Sequence, residues 1–182
     1  MSINNSNWEE AGRAGLVLGC ISTAYMLAEW STTSLFGQSG AFAMIAAGVI
    51  NIILWAVKFG ACLYLMRLFM LRYSAGHPEE GNGEVFRFGA RVALLSAIIY
   101  SAAYLAYVLF LAPDIFEKTI GMLRDNPMMD AASIGQIEEM LPKMPTMSFF
   151  VTFGYCWLFG TVLSAIYSRN IPSSNPFEDN NR

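Results

Sequence analysis

The chain has 182 residues, of which 55% are hydrophobic and only 14% charged, with a formal net charge of −3. A soluble domain carries roughly 25% charged residues, so this composition excludes an ordinary soluble globular domain and predicts an all-α membrane protein. The acidic balance and the lack of a basic cluster also argue against nucleic acid as a partner.

Crossing a hydrocarbon layer of ~30 Å takes about 20 helical residues. Four apolar runs meet that length, at 12–35, 41–66, 88–112 and 148–168, and they predict four transmembrane helices in an up-down-up-down bundle. Residues 1–10 are polar, lie along the membrane surface in this reading, and place Trp8 at the head-group layer. Acidic residues stand there where a secretory signal would be basic, and no small-residue cleavage site follows, so the first helix is expected to remain.

That helix starts near Ala11 and carries Gly15 and Gly19 at four-residue spacing. Gly89, Ala93 and Ala97 repeat the pattern in the third run. Small residues at this spacing let two backbones approach closely, which is how helices associate in lipid. Packing within the chain and a seam between copies are both open to such a face. Glu29 and Trp30 lie near the far end of the first helix, where a carboxylate reads as a rim residue.

The short uncharged stretch 31–40 makes the first two helices an antiparallel hairpin. The second run is the least ordinary of the four, because it carries Asn51 and Lys58 within apolar sequence. A lysine at the centre of a spanning helix costs about 2.5–3.5 kcal/mol on insertion scales, so it demands a reason. Matching the outer ends Thr33, Ala41, Ala112 and Ser148 puts Asn51 level with Thr23. The same match puts Lys58 seventeen residues below Ala41, about 25 Å at 1.5 Å per residue, in the inner third. From that depth its ammonium either snorkels to head groups along its own stem or turns into the bundle. The matching also predicts a polar layer near the midplane from Thr23, Asn51, Tyr100, Ser101 and Tyr104.

The second connection, 71–86, has turn signals in His77-Pro78 and Gly81-Asn82-Gly83 and is flanked by Arg67, Arg72, Arg87 and Arg91. Adding Arg13, Arg169 and Arg182 gives seven cations on one face, against Lys118, Arg124 and Lys143 on the other. The positive-inside rule then predicts both termini in the cytoplasm and an inner-membrane location.

Residues 113–147 form an extracytoplasmic loop with helical apolar spacing, first in Phe116, Ile120 and Leu123, then in Ile134, Ile137 and Leu141. Ser133 and Gln136 resemble a capping box opening the second of these helices. Six methionines fall in this loop, open to lipid, to protein or to a soft metal. With one histidine in the chain, and with Cys20, Cys62 and Cys156 scattered over three runs, no metal or cofactor is expected. Residues 169–182 read as a disordered cytoplasmic tail.

The stretches GRAGLVLGCIS at 12–22, GEVFRFGARVALLSAIIYSAAYLAYVLFLAPDIFEKTI at 83–120 and IEEMLPKMPTMSFF at 137–150 resemble the Bacteroidota integral membrane proteins grouped as domain-of-unknown-function 4199. The resemblance covers nearly the whole chain and rests on loose apolar, Gly and Tyr patterns. It implies a bacterial inner-membrane protein and an accessory role beside a membrane-associated glycosyltransferase. No nucleophile triad, phosphate loop or paired carboxylates appear, so no enzyme is expected. Two functions remain: a non-catalytic subunit anchoring a membrane partner, and a small oligomeric transporter or flippase using the midplane polar layer.

Overall fold

The computed structural model describes residues 3–36, 41–125 and 130–171. The 37–40 connection, the Asn126-Pro127 turn, Met128, Met129 and most of the expected tail lie outside the described residues. All regular structure among the described residues is helical: α1 (Ile3–Phe36), α2 (Ala41–Gly76), α3 (Asn82–Ala106), α4 (Ile115–Arg124), α5 (Ala131–Met140) and α6 (Met144–Asn170). Four of these stretches are long and apolar enough to cross a membrane: Asn7–Leu35, Ile45–Gly76, Asn82–Leu111 and Ala132–Asn170.

Prolines set several of the boundaries. α2 stops where His77 meets Pro78, after the His77 amide has made a last helical bond to the Tyr73 carbonyl at 3.0 Å. A residue before proline is pushed out of the helical region. Ile171, before Pro172, ends α6 in the same way with φ −87° and ψ 122°. Pro145 sits in the first turn of α6, where its missing N–H costs nothing.

Three features depart from the expected outline. α1 is already helical at Ile3, so residues 3–10 continue the spanning helix instead of lying along a surface. α5 is capped by Asp130, whose carboxylate accepts from the Ser133 amide at 2.7 Å, which puts Ser133 inside the first turn and not at the cap. α3 ends in a π-helical turn, Tyr107–Leu111, closed by the Ala112 amide on the Tyr107 carbonyl at 3.0 Å.

α3 is the central helix, packed along α1 on one side and α6 on the other, while α2 leans mainly on α1. Small residues make both α3 seams. A methyl added at Gly15 would lie 2.8 Å from the Leu95 Cβ, and one at Gly19 2.8 Å from the Ile99 Cβ. On the other side a methyl at Gly160 would lie 2.6 Å from the Ala93 Cβ, and one at Gly89 2.9 Å from the Ser164 Cβ. Ser164 donates to the Phe86 carbonyl at 2.8 Å, a bond that crosses this seam. The predicted packing face of Gly15, Gly19, Gly89 and Ala93 is therefore occupied within the chain, and Ala97 is buried beside it.

The densest packing lies at the end of the bundle that carries the 77–81 connection. Ala11, Ala14, Met66, Met70, Val85, Phe88, Val92 and Ile171 form one buried cluster there. Tyr73 stacks between His77 and Phe88, with centroids 4.5 and 4.1 Å away, and donates to Glu80. At the opposite end α4 and α5 pair through Arg124, whose Nε donates to Glu138 at 2.8 Å.

Candidate functional site

One face of α2 carries Asn51, Trp55, Lys58, Cys62 and Met66, spaced by three and four residues so that they stack along the helix. All five line cavities inside the bundle. The inner part of the site is a cavity of about 470 Å³ between α2, α3 and α6, with Leu18 and Ser22 of α1 at its back. Its walls are mostly apolar, and a lysine stands in the middle of them.

Lys58 turns inward. Its ammonium donates to the Tyr100 hydroxyl at 3.2 Å and lies 4.6 Å from the centroid of the same ring. Tyr100 is the middle residue of the 88–112 apolar run, so the cation sits at mid-height in the bundle. Among the described residues no carboxylate pairs with it: the ion pairs are Arg13–Glu9, Arg87–Glu84 and Arg124–Glu138, all outside the cavity. Trp55 stacks on Phe59 at 5.6 Å, and Phe59 meets Phe159 at 5.7 Å, so an aromatic ridge joins α2 to α6 beside the lysine. Cys62 and Cys156 are free thiols on the same wall, and Cys62 lies 3.7 Å from the Ser22 hydroxyl.

A second cavity of about 600 Å³ lies toward the α4 end, lined by Glu29, Trp30, Thr33, Asn51 and Tyr107. It shares Trp55, Tyr100 and Tyr104 with the first, so the two hollows meet at the tyrosines. Glu29 is half-buried on the wall of this outer hollow and is not a fully exposed rim residue.

The five residues expected to form one midplane layer do not. Asn51 donates to Thr33 at 3.3 Å, which places it level with Thr33 and near the α4 end. The expected level was Thr23, ten residues or about 15 Å away at 1.5 Å per residue. Thr23 instead bonds the Gly19 carbonyl of its own helix at 2.9 Å. Ser101 is fully buried, and its hydroxyl has no partner among the described residues. Tyr100 and Tyr104 remain together, and Lys58 takes the place in the middle that the sequence reading gave to Asn51. The reason is register: Ser22 beside Cys62 and Thr33 beside Asn51 show that α2 runs further past the end of α1 than equal outer ends would allow.

Sequence reasoning missed Trp55, Phe59 and Phe159 as site residues. The α2 spacing could have found the first two, since Trp55 is three residues from Lys58 and Phe59 four from Trp55. Nothing local marks Phe159.

Outside the spanning helices the titration of one group, Asp130, is shifted by its neighbours. The Ser133 hydroxyl and amide hold the Asp130 carboxyl below the usual carboxylate range. Among the described residues no three His, Cys, Asp or Glu side chains gather to hold a metal.

No protein-family model matches the chain, and no curated protein or solved structure is significantly similar to it. The site geometry therefore carries the functional argument.

Proposed function

We propose that the chain is a small bacterial inner-membrane carrier, with both termini cytoplasmic, that binds its ligand inside the bundle at Lys58 and Tyr100. The observation that carries this reading is the inward lysine, hydrogen-bonded to Tyr100 on the wall of a 470 Å³ cavity. Ligand cavities span ~300–1,000 Å³, mostly apolar with a few convergent polar groups. An intramembrane cation inside a bundle marks a substrate or ion path more often than a structural accident. The outer hollow gives that cavity a route toward the α4 end through Tyr100 and Tyr104. The reading involves no catalytic step.

The three cysteines supply a test. Cys62 and Cys156 line the inner cavity, whereas Cys20 is exposed on α1. In a Cys20→Ser variant embedded in membranes, a membrane-permeant maleimide is expected to label the remaining thiols in the native state. Labelling that occurs only after denaturation would mean a sealed structural bundle and would end the carrier reading.

A second reading, a non-catalytic subunit anchoring a partner such as a lipid-linked glycosyltransferase, is favoured by one feature. α2 buries little of itself in the chain and leaves Ile45, Val49, Ile52 and Ile53 exposed. The composition of the complex solubilised in mild detergent separates the two: a stoichiometric partner supports the anchor, self-association alone supports the carrier.

A further inference from the structure

We infer that the Lys58 cavity takes a membrane amphiphile with an acidic head group, the anionic head docking on Lys58 and the tail leaving sideways between α2 and α6. The inference rests on the carrier reading and adds to it the class of ligand.

Charge is the first argument. An ammonium has three N–H donors, and Lys58 uses one on Tyr100; among the described residues no second hydrogen bond and no ion pair reaches it. A cation held in an apolar wall is unfavourable unless a counter-charge meets it. Glu29 lines the other hollow, beyond the tyrosines, and is not that partner. A carboxylate or phosphate head would supply the missing charge and accept the two remaining donors.

Shape is the second. The end of the cavity toward the 77–81 connection is floored by Met66, which is 2% exposed and part of the buried cluster, so among the described residues that end is filled by packed side chains. The side is different. Beyond the Phe59–Phe159 pair α2 and α6 touch sparsely along their length, and the cavity residues Trp55 and Tyr155 are 59% and 69% exposed on the flank of the bundle that would face lipid. A hydrocarbon chain leaving through that gap would run along aromatic rings into the bilayer, while a hydrophilic solute would meet the same rings as a barrier. Beside Lys58 and the thiols the polar lining is uncharged hydroxyls, those of Ser22, Ser96, Tyr100, Tyr104, Thr152 and Tyr155, and Ser22 and Ser96 already have partners, so a small soluble anion would meet a single positive charge in a mostly apolar wall.

Trp55 on the cavity wall reports occupancy directly. The full chain, with Trp8, Trp30 and Trp157 changed to Phe, would be titrated in nonionic detergent with three brominated probes: a long-chain fatty acid, a phosphatidic acid, and a fatty alcohol of equal length. The expected result is saturable Trp55 quenching by at least one of the acids, at least tenfold tighter than by the alcohol. Whichever acid saturates tells a carboxylate from a phosphate head. Lys58→Met should weaken that acid at least tenfold, and Lys58→Arg should restore it. An alcohol that binds within tenfold of both acids, or a Lys58→Met chain that binds the acid unchanged, overturns the acidic-head inference and leaves the carrier reading standing. If none of the three probes saturates, the acidic-head inference falls, and the thiol labelling decides the carrier reading. The comparison between probes needs only the Lys58 chain, so it holds even if Lys58→Met fails to fold.

Discussion

Lys58 meets Tyr100 in two ways at once, through the hydroxyl and through the ring face. A cation over an aromatic ring contributes about 0.5–1 kcal/mol when exposed and about 2 when desolvated, so at mid-height in the bundle the ring is a real anchor. Asn51 makes a weaker bond, 3.3 Å to Thr33, near the end of the helix pair where water can compete. A different single residue governs the α4–α5 hairpin. Because bonding to Ser133 lowers the folded-state affinity of Asp130 for a proton, its cap contributes fully above the ordinary carboxylate range and is lost as pH falls through the lowered value. Acid titration below about pH 4 should therefore deprotect the Ser133 and Ile134 amides to hydrogen exchange. Asp130→Ala should leave those amides unprotected, with no such pH dependence. Equal acid sensitivity in both chains would contradict the cap. The sequence made a start near this point visible through Ser133, but the true cap lay three residues earlier, and Asp and Ser fill such positions about equally well.

At the scale of helices, α3 is held by two seams of small residues. The α3–α6 seam has no room at Gly89, where an added methyl meets the Ser164 side chain that itself bonds the Phe86 carbonyl. Gly89→Ala should cost about 1–3 kcal/mol, the usual range for overpacking a tight contact. Gly60→Ala on α2 has nothing within 4 Å and should be neutral or stabilising by up to about 1 kcal/mol through helix propensity. Unfolding of both variants in mixed micelles checks the contrast, and equal losses would mean that the seam is not tight. That four helices are long and apolar enough to cross a membrane was legible, because hydrocarbon thickness sets a minimum residue count; their ends were not, since Ile45–Gly76 and Ala132–Asn170 run well beyond the apolar runs 41–66 and 148–168. The register between them was not. α2 has 36 residues and a length of about 54 Å at 1.5 Å per residue, well beyond the bilayer, so apolar sequence alone does not say which part of it lies at the middle. The π turn after α3 was equally hidden, since Tyr107–Leu111 differs in no obvious way from the helical sequence before it.

The whole molecule is closed at one end and hollow at mid-height. Near the 77–81 connection, α1, α2 and α3 share a buried cluster with Ile171, just past α6, and Tyr167 of α6 packs against it. Further along, α2 and α6 pack only sparsely, and the cavity they line with α3 is where Lys58, Tyr100 and the two thiols sit. A bundle anchored firmly at one end and loosely packed at its middle is suited to admitting something from the side. Everything proposed for this hollow turns on where the Lys58 ammonium sits. A double-mutant cycle of Lys58→Met and Tyr100→Leu, read as unfolding free energy in mixed micelles, measures that directly. An inward lysine on Tyr100 predicts a coupling of about 1–2 kcal/mol. Additivity within about 0.5 kcal/mol would place the ammonium away from Tyr100, out at the head groups, and would contradict the site.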